Sequence, residues 1–166
     1  MLNPTMNKLL LYHGTNPDSA QELFNCKVKV EIGGGEFGRG FYMGTSKRLA
    51  KRRAFHKTEQ RFGSAQEAMR SNHKNTFAIL LDKDKLIVGT KHKLLSREES
   101  ISLYQRLKKN NACSQYPYLT KYDFIDGVIV GKKRYYDVHQ YKFESELSAL
   151  MLNGKHYKIP VKRGLI

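Results

Sequence analysis

The sequence predicts an α+β domain, and three observations carry that expectation. Short runs rich in β-branched and aromatic residues recur along the chain, bounded by Gly, Asn or Asp. Segments with helix-capping residues lie between them. Strands precede and follow these helices at irregular intervals, unlike the regular alternation of a parallel βαβ wind. A chain of 166 residues suits one domain, 1–166, with a single core that needs no staples.

Taken in order, Lys8–Tyr12 reads as the first strand and Asp18–Phe24 as a short helix. Lys27–Ile32 reads as a second strand, and Gly40–Met43 as extended chain after a glycine-rich stretch. Thr45 or Ser46 caps a longer helix that runs to about Arg61. Gly63–Asn75 is an insertion around a short helix. Thr76–Leu81 and Lys85–Val88 read as strands. Ser96 with Glu99 makes a capping box, after which Ile101, Tyr104 and Leu107 share one helical face. Gly127–Gly131, Tyr141–Phe143 and Tyr157–Val161 complete the strands.

Lysine and arginine number 30 against 15 acids, a formal net charge of +15 spread through the whole chain. Such a potential concentrates polyanions, whose binding is driven largely by counterion release around phosphates. Nucleic acid is therefore the leading partner class and acidic protein the second. A membrane is not expected, because every apolar stretch falls far short of the ~20 residues a spanning helix needs. Cys26 and Cys113 read as free thiols of a cytoplasmic protein. No CxxC or HExxH spacing is present, so no metal is expected.

Gly33-Gly34-Gly35-Glu36-Phe37-Gly38 satisfies the GxGxxG pattern. A dinucleotide fold needs a helix to open there at once, with its N-terminus on the pyrophosphate. Extended chain follows instead, so the stretch by itself reads as a flexible glycine hairpin.

Two segments give that stretch a context. Leu11-Tyr12-His13-Gly14-Thr15 closes a strand, and Phe37-Gly38-Arg39-Gly40-Phe41-Tyr42-Met43-Gly44-Thr45 runs into the capped helix. Later come Gln140-Tyr141-Lys142-Phe143 and Ala149-Leu150. In these motifs, their order and their spacing, the chain from about Leu10 to Leu152 resembles the ADP-ribosyltransferase superfamily. The likeness is to its diphtheria-toxin and poly(ADP-ribose) polymerase branch, and within that to small bacterial toxin-type domains. The resemblance implies a split, mostly antiparallel β-sandwich with peripheral helices, NAD as co-substrate and release of nicotinamide.

Transfer of ADP-ribose passes through a cationic, oxocarbenium-like state, which sugar-transfer enzymes stabilise while holding the 2-hydroxyl. By resemblance, His13 bonds the adenosine ribose, the Gly14 backbone meets the nicotinamide amide and Thr15 adds a ribose contact. Tyr42 stacks on the nicotinamide, and Arg39 beside Gly40 meets the pyrophosphate. Arg53 stands where the family places a second aromatic. The third motif position falls on Gln140, where glutamate is common, with Glu144 of the Glu144-x-Glu146 pair as the alternative. His13 and Tyr42 are expected to face one cleft, with Gly14 at its floor and at close approach to the ligand.

Lys47, Arg48, Lys51, Arg52, Arg53 and Lys57 crowd the helix after Tyr42. Lys132-Lys133-Arg134-Tyr135-Tyr136 form a basic–aromatic cluster, with Tyr116, Tyr118, Lys121 and Tyr122 before it. Cations mixed with aromatics suit single-stranded nucleic acid. The resemblance thus implies a base in RNA or single-stranded DNA as acceptor, and a toxin of toxin–antitoxin or phage-defence type with a separately encoded antitoxin. A protein side chain as acceptor, or an inactive nucleic-acid-binding domain, are the alternatives.

Overall fold

Strand β1 (Lys8–Gly14) alternates exposed and buried positions, with Leu9 and Leu11 turned into the core. The computed structural model describes residues 7–70, 74–110, 121–131 and 137–166. Helix α1 (Pro17–Phe24) follows, its N-cap Asn16 accepting from the Ser19 N–H. The glycine-rich stretch forms a small hairpin of β2 (Gly34–Gly35) and β3 (Gly38–Arg39) and leads into β4 (Phe41–Gly44). Ser46 caps α2 (Lys47–Phe62), which Gly63 ends in the left-handed conformation. The short α3 (Ala65–Arg70) precedes β5 (Thr76–Asp82), α4 (Lys83–Gly89) and β6 (His92–Leu94). Helix α5 (Arg97–Lys109) opens on the Ser96–Glu99 capping box. Then come β7 (Phe124–Val128), β8 (His139–Phe143), α6 (Glu146–Leu152) and β9 (Lys162–Leu165).

Seven of these strands make one sheet in the order β6-β7-β8-β4-β1-β5-β9. Only β6 and β7 pair in parallel; every other pairing is antiparallel. The chain is therefore α+β with a mixed, mostly antiparallel sheet. One face buries Leu11, Phe41, Met43, Phe77, Ile79, Tyr141 and Phe143 with Leu86 of α4 and Met151 and Leu152 of α6. A second, smaller cluster joins Phe37, Ile125 and the α5 residues Leu103 and Leu107, with Tyr42 packed against it. Among the described residues no helix is long and apolar enough to cross a membrane, and Cys26 is a free thiol.

Five sequence expectations are corrected. Lys27–Ile32 is not a strand; the amide of Asn153 accepts from the Val28 N–H at 2.8 Å and donates to its carbonyl at 3.0 Å, taking the place of a neighbouring strand. Lys85–Val88 lies in α4, because the Asp82 carboxylate accepts from the N–H groups of Asp84 and Lys85 and starts a helix. Strand β7 begins at Phe124 rather than Gly127, and the last strand is Lys162–Leu165, beyond Tyr157–Val161. On α5 the buried positions are Ser100, Leu103 and Leu107, while Ile101 and Tyr104 are half-buried. Cys113, Tyr116, Tyr118 and the whole Lys132, Lys133, Arg134, Tyr135, Tyr136 cluster lie outside the described residues.

Candidate active-site cleft

A cleft of about 620 Å³ opens between α2 and the centre of the sheet, within the size range of small-molecule sites. His13, Gly14, Tyr42, Arg53 and Gln140, singled out in the sequence, all line it. Tyr12, His56 and Lys57 line it as well. Thr15, Arg39, Gly40 and Glu144 are not among its walls.

The cleft lies where β1 and β4 share a single Cα pair, Tyr12 with Gly44. Beyond it the His13 imidazole takes over from the backbone ladder, its Nδ1–H donating to the Tyr42 carbonyl at 2.6 Å. A carbonyl only accepts, so the proton is on Nδ1 and Nε2 is left as an acceptor. Burial pushes the His13 pKa down from its ordinary 6.5 to about 4, opposed by the Tyr42 hydrogen bond and helped by the Arg53 charge. The imidazole is neutral at physiological pH. The unfolded chain takes up this proton near 6.5 and the folded chain only near 4, so His13 costs the fold stability as pH falls between those values. Melting temperatures across that range should fall less steeply for His13→Gln than for the native protein.

His13 and Tyr42 both line the cleft, but their side chains leave the sheet on opposite faces. Counted from the Tyr12–Gly44 pair, His13 falls level with Met43 and Gly14 with Tyr42, where the two strands no longer pair. His13 follows the parity of Leu9 and Leu11 and stacks on Phe41, with ring centroids 4.6 Å apart. Tyr42 instead shares a face with Tyr12, Gly44, Gln140 and Lys142, by the same pairing rule. His13 reaches the cleft only where the two strands part.

Gly14 also makes room for the α2 backbone. A Cβ there would sit 1.8 Å from the Ala50 carbonyl oxygen and 2.8 Å from the Ala54 nitrogen. The close approach that glycine permits is that of the α2 backbone. Ala50, Ala54 and Thr58, one turn apart, are the buried stripe of α2. Their small size lets the helix lie flat on the strand and places Arg53 and Lys57 along the cleft.

Tyr42 is both wall and anchor. Its hydroxyl donates to the Gly38 carbonyl at 2.6 Å and accepts from the Phe37 N–H at 3.0 Å. A Cβ on Gly35 would meet its ring at 2.7 Å. The hairpin is thereby clamped, with Phe37 fully buried at its tip, and is not the flexible loop its glycines suggest. Tyr42→Phe keeps the ring and loses both bonds, so its melting temperature should drop. Tyr42→Ala loses ring and clamp together and should melt lower still.

Arg39 does not reach the cleft; its charge acts on the buried pair of Lys142 and Glu144. Lys142 Nζ contacts Glu144 Oε2, and both side chains are almost wholly shielded from solvent. Burial lowers the Lys142 pKa and raises that of Glu144, against their mutual attraction. Glu144 is thus part of the interior; of the two candidates for the third motif position, Gln140 lines the cleft and Glu144 does not. Thr15 lies past the end of β1, its N–H on the Asn75 carbonyl at 3.0 Å.

Two contributors were missed. Tyr12, within the quoted Tyr12-His13-Gly14-Thr15 motif, puts a second aromatic on the Tyr42 face. Glu36 reaches Gln140 from the hairpin tip, its Oε2 accepting from Gln140 Nε2 at 2.6 Å. Its one mark in the sequence is that no other acid stands between Glu31 and Glu59. Compared with protein-family models, with curated proteins and with solved structures, the chain matches none.

Proposed function

We propose that the chain is an NAD-dependent mono-ADP-ribosyltransferase of bacterial toxin type that modifies a base in RNA or single-stranded DNA. One observation carries this reading. Residues from three motifs far apart in sequence, His13 and Gly14, Tyr42, and Gln140, converge on one cleft. The single Cα pair between β1 and β4 fits a sheet that splits along this line, as in an ADP-ribosyltransferase-like sandwich.

The residues fit a dinucleotide. The neutral His13 offers an Nε2 acceptor for a ribose hydroxyl. Arg53 and Lys57 offer cations for the pyrophosphate. Tyr12 and Tyr42 offer aromatic surface for nicotinamide, Tyr12 taking the part of the absent helix aromatic. In transfer, the bond from the ribose carbon to nicotinamide breaks, a base nitrogen bonds that carbon, and the nitrogen's proton goes to water. The exposed Lys47, Arg48, Arg52, Arg53 and Lys57 supply the charge that would gather a polyanionic acceptor.

NAD labelled in its adenylate part, incubated with separate pools of RNA, single-stranded DNA and protein, tests this. Label should pass to a nucleic-acid pool with release of nicotinamide. That transfer should weaken with salt by a slope of about −0.7 in log K for each phosphate held. Label on protein alone would move the acceptor to a side chain. Polymer binding without nicotinamide release would leave an inactive nucleic-acid-binding domain.

A further inference from the structure

The cleft's third motif residue is an amide, and an amide can present either an acceptor or a donor. The surroundings of Gln140 decide which. Its Nε2 donates to Glu36 Oε2 at 2.6 Å and to the Val128 carbonyl at 3.2 Å. Glu36 also accepts from the N–H groups of Val130 at 2.8 Å and Gly131 at 2.6 Å. A carboxylate ringed by three N–H donors and a main-chain carbonyl both act as acceptors. Both amide hydrogens of Gln140 are thereby engaged, and a flipped amide would set its oxygen against two other oxygens.

We propose that Glu36 is a positioning residue that locks Gln140 with its amide oxygen, rather than its nitrogen, offered to a ligand hydroxyl in the cleft. The inference rests on the reading of the cleft as the NAD site and names how Gln140 works there. A glutamate would bring an accepting oxygen and a full charge. Gln140 brings the oxygen, and the carboxylate bonded to its nitrogen draws electron density toward that oxygen. The charge missing at position 140 is held one hydrogen bond away. The hairpin that delivers it is fixed by buried Phe37 and by the Tyr42 hydroxyl. The ligand group recognised is a hydroxyl, as on the ribose next to the bond that breaks.

The test combines kinetics with a readout independent of activity. In 15N-labelled protein, the Gln140 side-chain protons, assigned by their loss in Gln140→Glu, should exchange more slowly than those of exposed Gln60 and Gln105. Glu36→Ala should abolish that protection and lower kcat for nicotinamide release about 10- to 100-fold, as loss of a charge-assisted hydrogen bond does. KM for NAD should change little. Should the alanine variant not fold, Glu36→Gln, with one acceptor for three donors, should shift both readouts in the same direction. Gln140→Glu alone places two carboxylates in contact, so its kcat should decline as pH rises through their raised shared ionisation. Unchanged protection or unchanged kcat in the Glu36 variants overturns the proposal. Native protein that keeps the protection, loses it in Glu36→Ala, and yet never releases nicotinamide overturns the transferase reading and leaves the amide lock standing.

Discussion

Replacing Gly14 with alanine should lower the melting temperature by roughly 6–12 °C and empty the cleft of its function. The added Cβ would lie 1.8 Å from the Ala50 carbonyl, a backbone atom that no rotamer change can move aside. Overpacking of this kind costs about 3 kcal/mol or more. In a domain of this size each kcal/mol is worth about 2–4 °C. Relief requires α2 to shift off β1, and α2 carries Arg53 and Lys57 along the cleft. NAD binding should therefore weaken even in the fraction that stays folded. Gly44→Ala, whose Cβ would meet nothing nearer than the His139 carbonyl at 3.6 Å, should leave the melting temperature nearly unchanged. Thermal melts of the two variants side by side check this. Equal stability of Gly14→Ala and the native protein would mean that α2 does not pack as described.

The second large effect separates the two residues that compete for the third catalytic position. Glu144→Ala leaves Lys142, fully buried, without its carboxylate. Breaking one member of a buried ion pair costs about 3–5 kcal/mol, far more than the pair itself contributes relative to apolar residues. Among the described residues neither Glu144 oxygen has a hydrogen-bond partner beyond its contact with Lys142. The variant should melt much lower, yet release nicotinamide at the native rate per folded molecule. Gln140→Ala should do the reverse in activity, with loss of about 100-fold or more in kcat, the scale seen when one transition-state hydrogen bond is removed. Rates normalised to the folded fraction, read from urea titrations, make the comparison. A rate lost in Glu144→Ala but retained in Gln140→Ala would exchange their roles.

The parts of this molecule that local chemistry dictates were legible in the sequence. Ser46 and the Ser96–Glu99 box place the starts of α2 and α5. Apolar runs rich in β-branched and aromatic residues place β1 and β5, and failure of a helix to open after the glycines excludes a dinucleotide fold. Where local signals compete, the sequence misleads. The β-branched Ile87 and Val88 suggest a strand, but the Asp82 cap makes that segment a helix. Val28 and Val30 suggest a strand too, but the Val28 backbone finds its partner in the Asn153 side chain, distant in sequence.

The site divides along the same line. By itself the sequence marked which motif residues to watch, through their types, order and spacing. Only the tertiary structure decided where each one sits. Pairing register sent His13 and Tyr42 to opposite faces, helix packing set Gly14 against α2, and burial beside Lys142 kept Glu144 out of the cleft walls. Glu36 came to Gln140 through a hairpin fold that brings together positions 104 residues apart. Such assignments depend on distances between segments remote in the chain, and residue type and spacing carry no record of those distances.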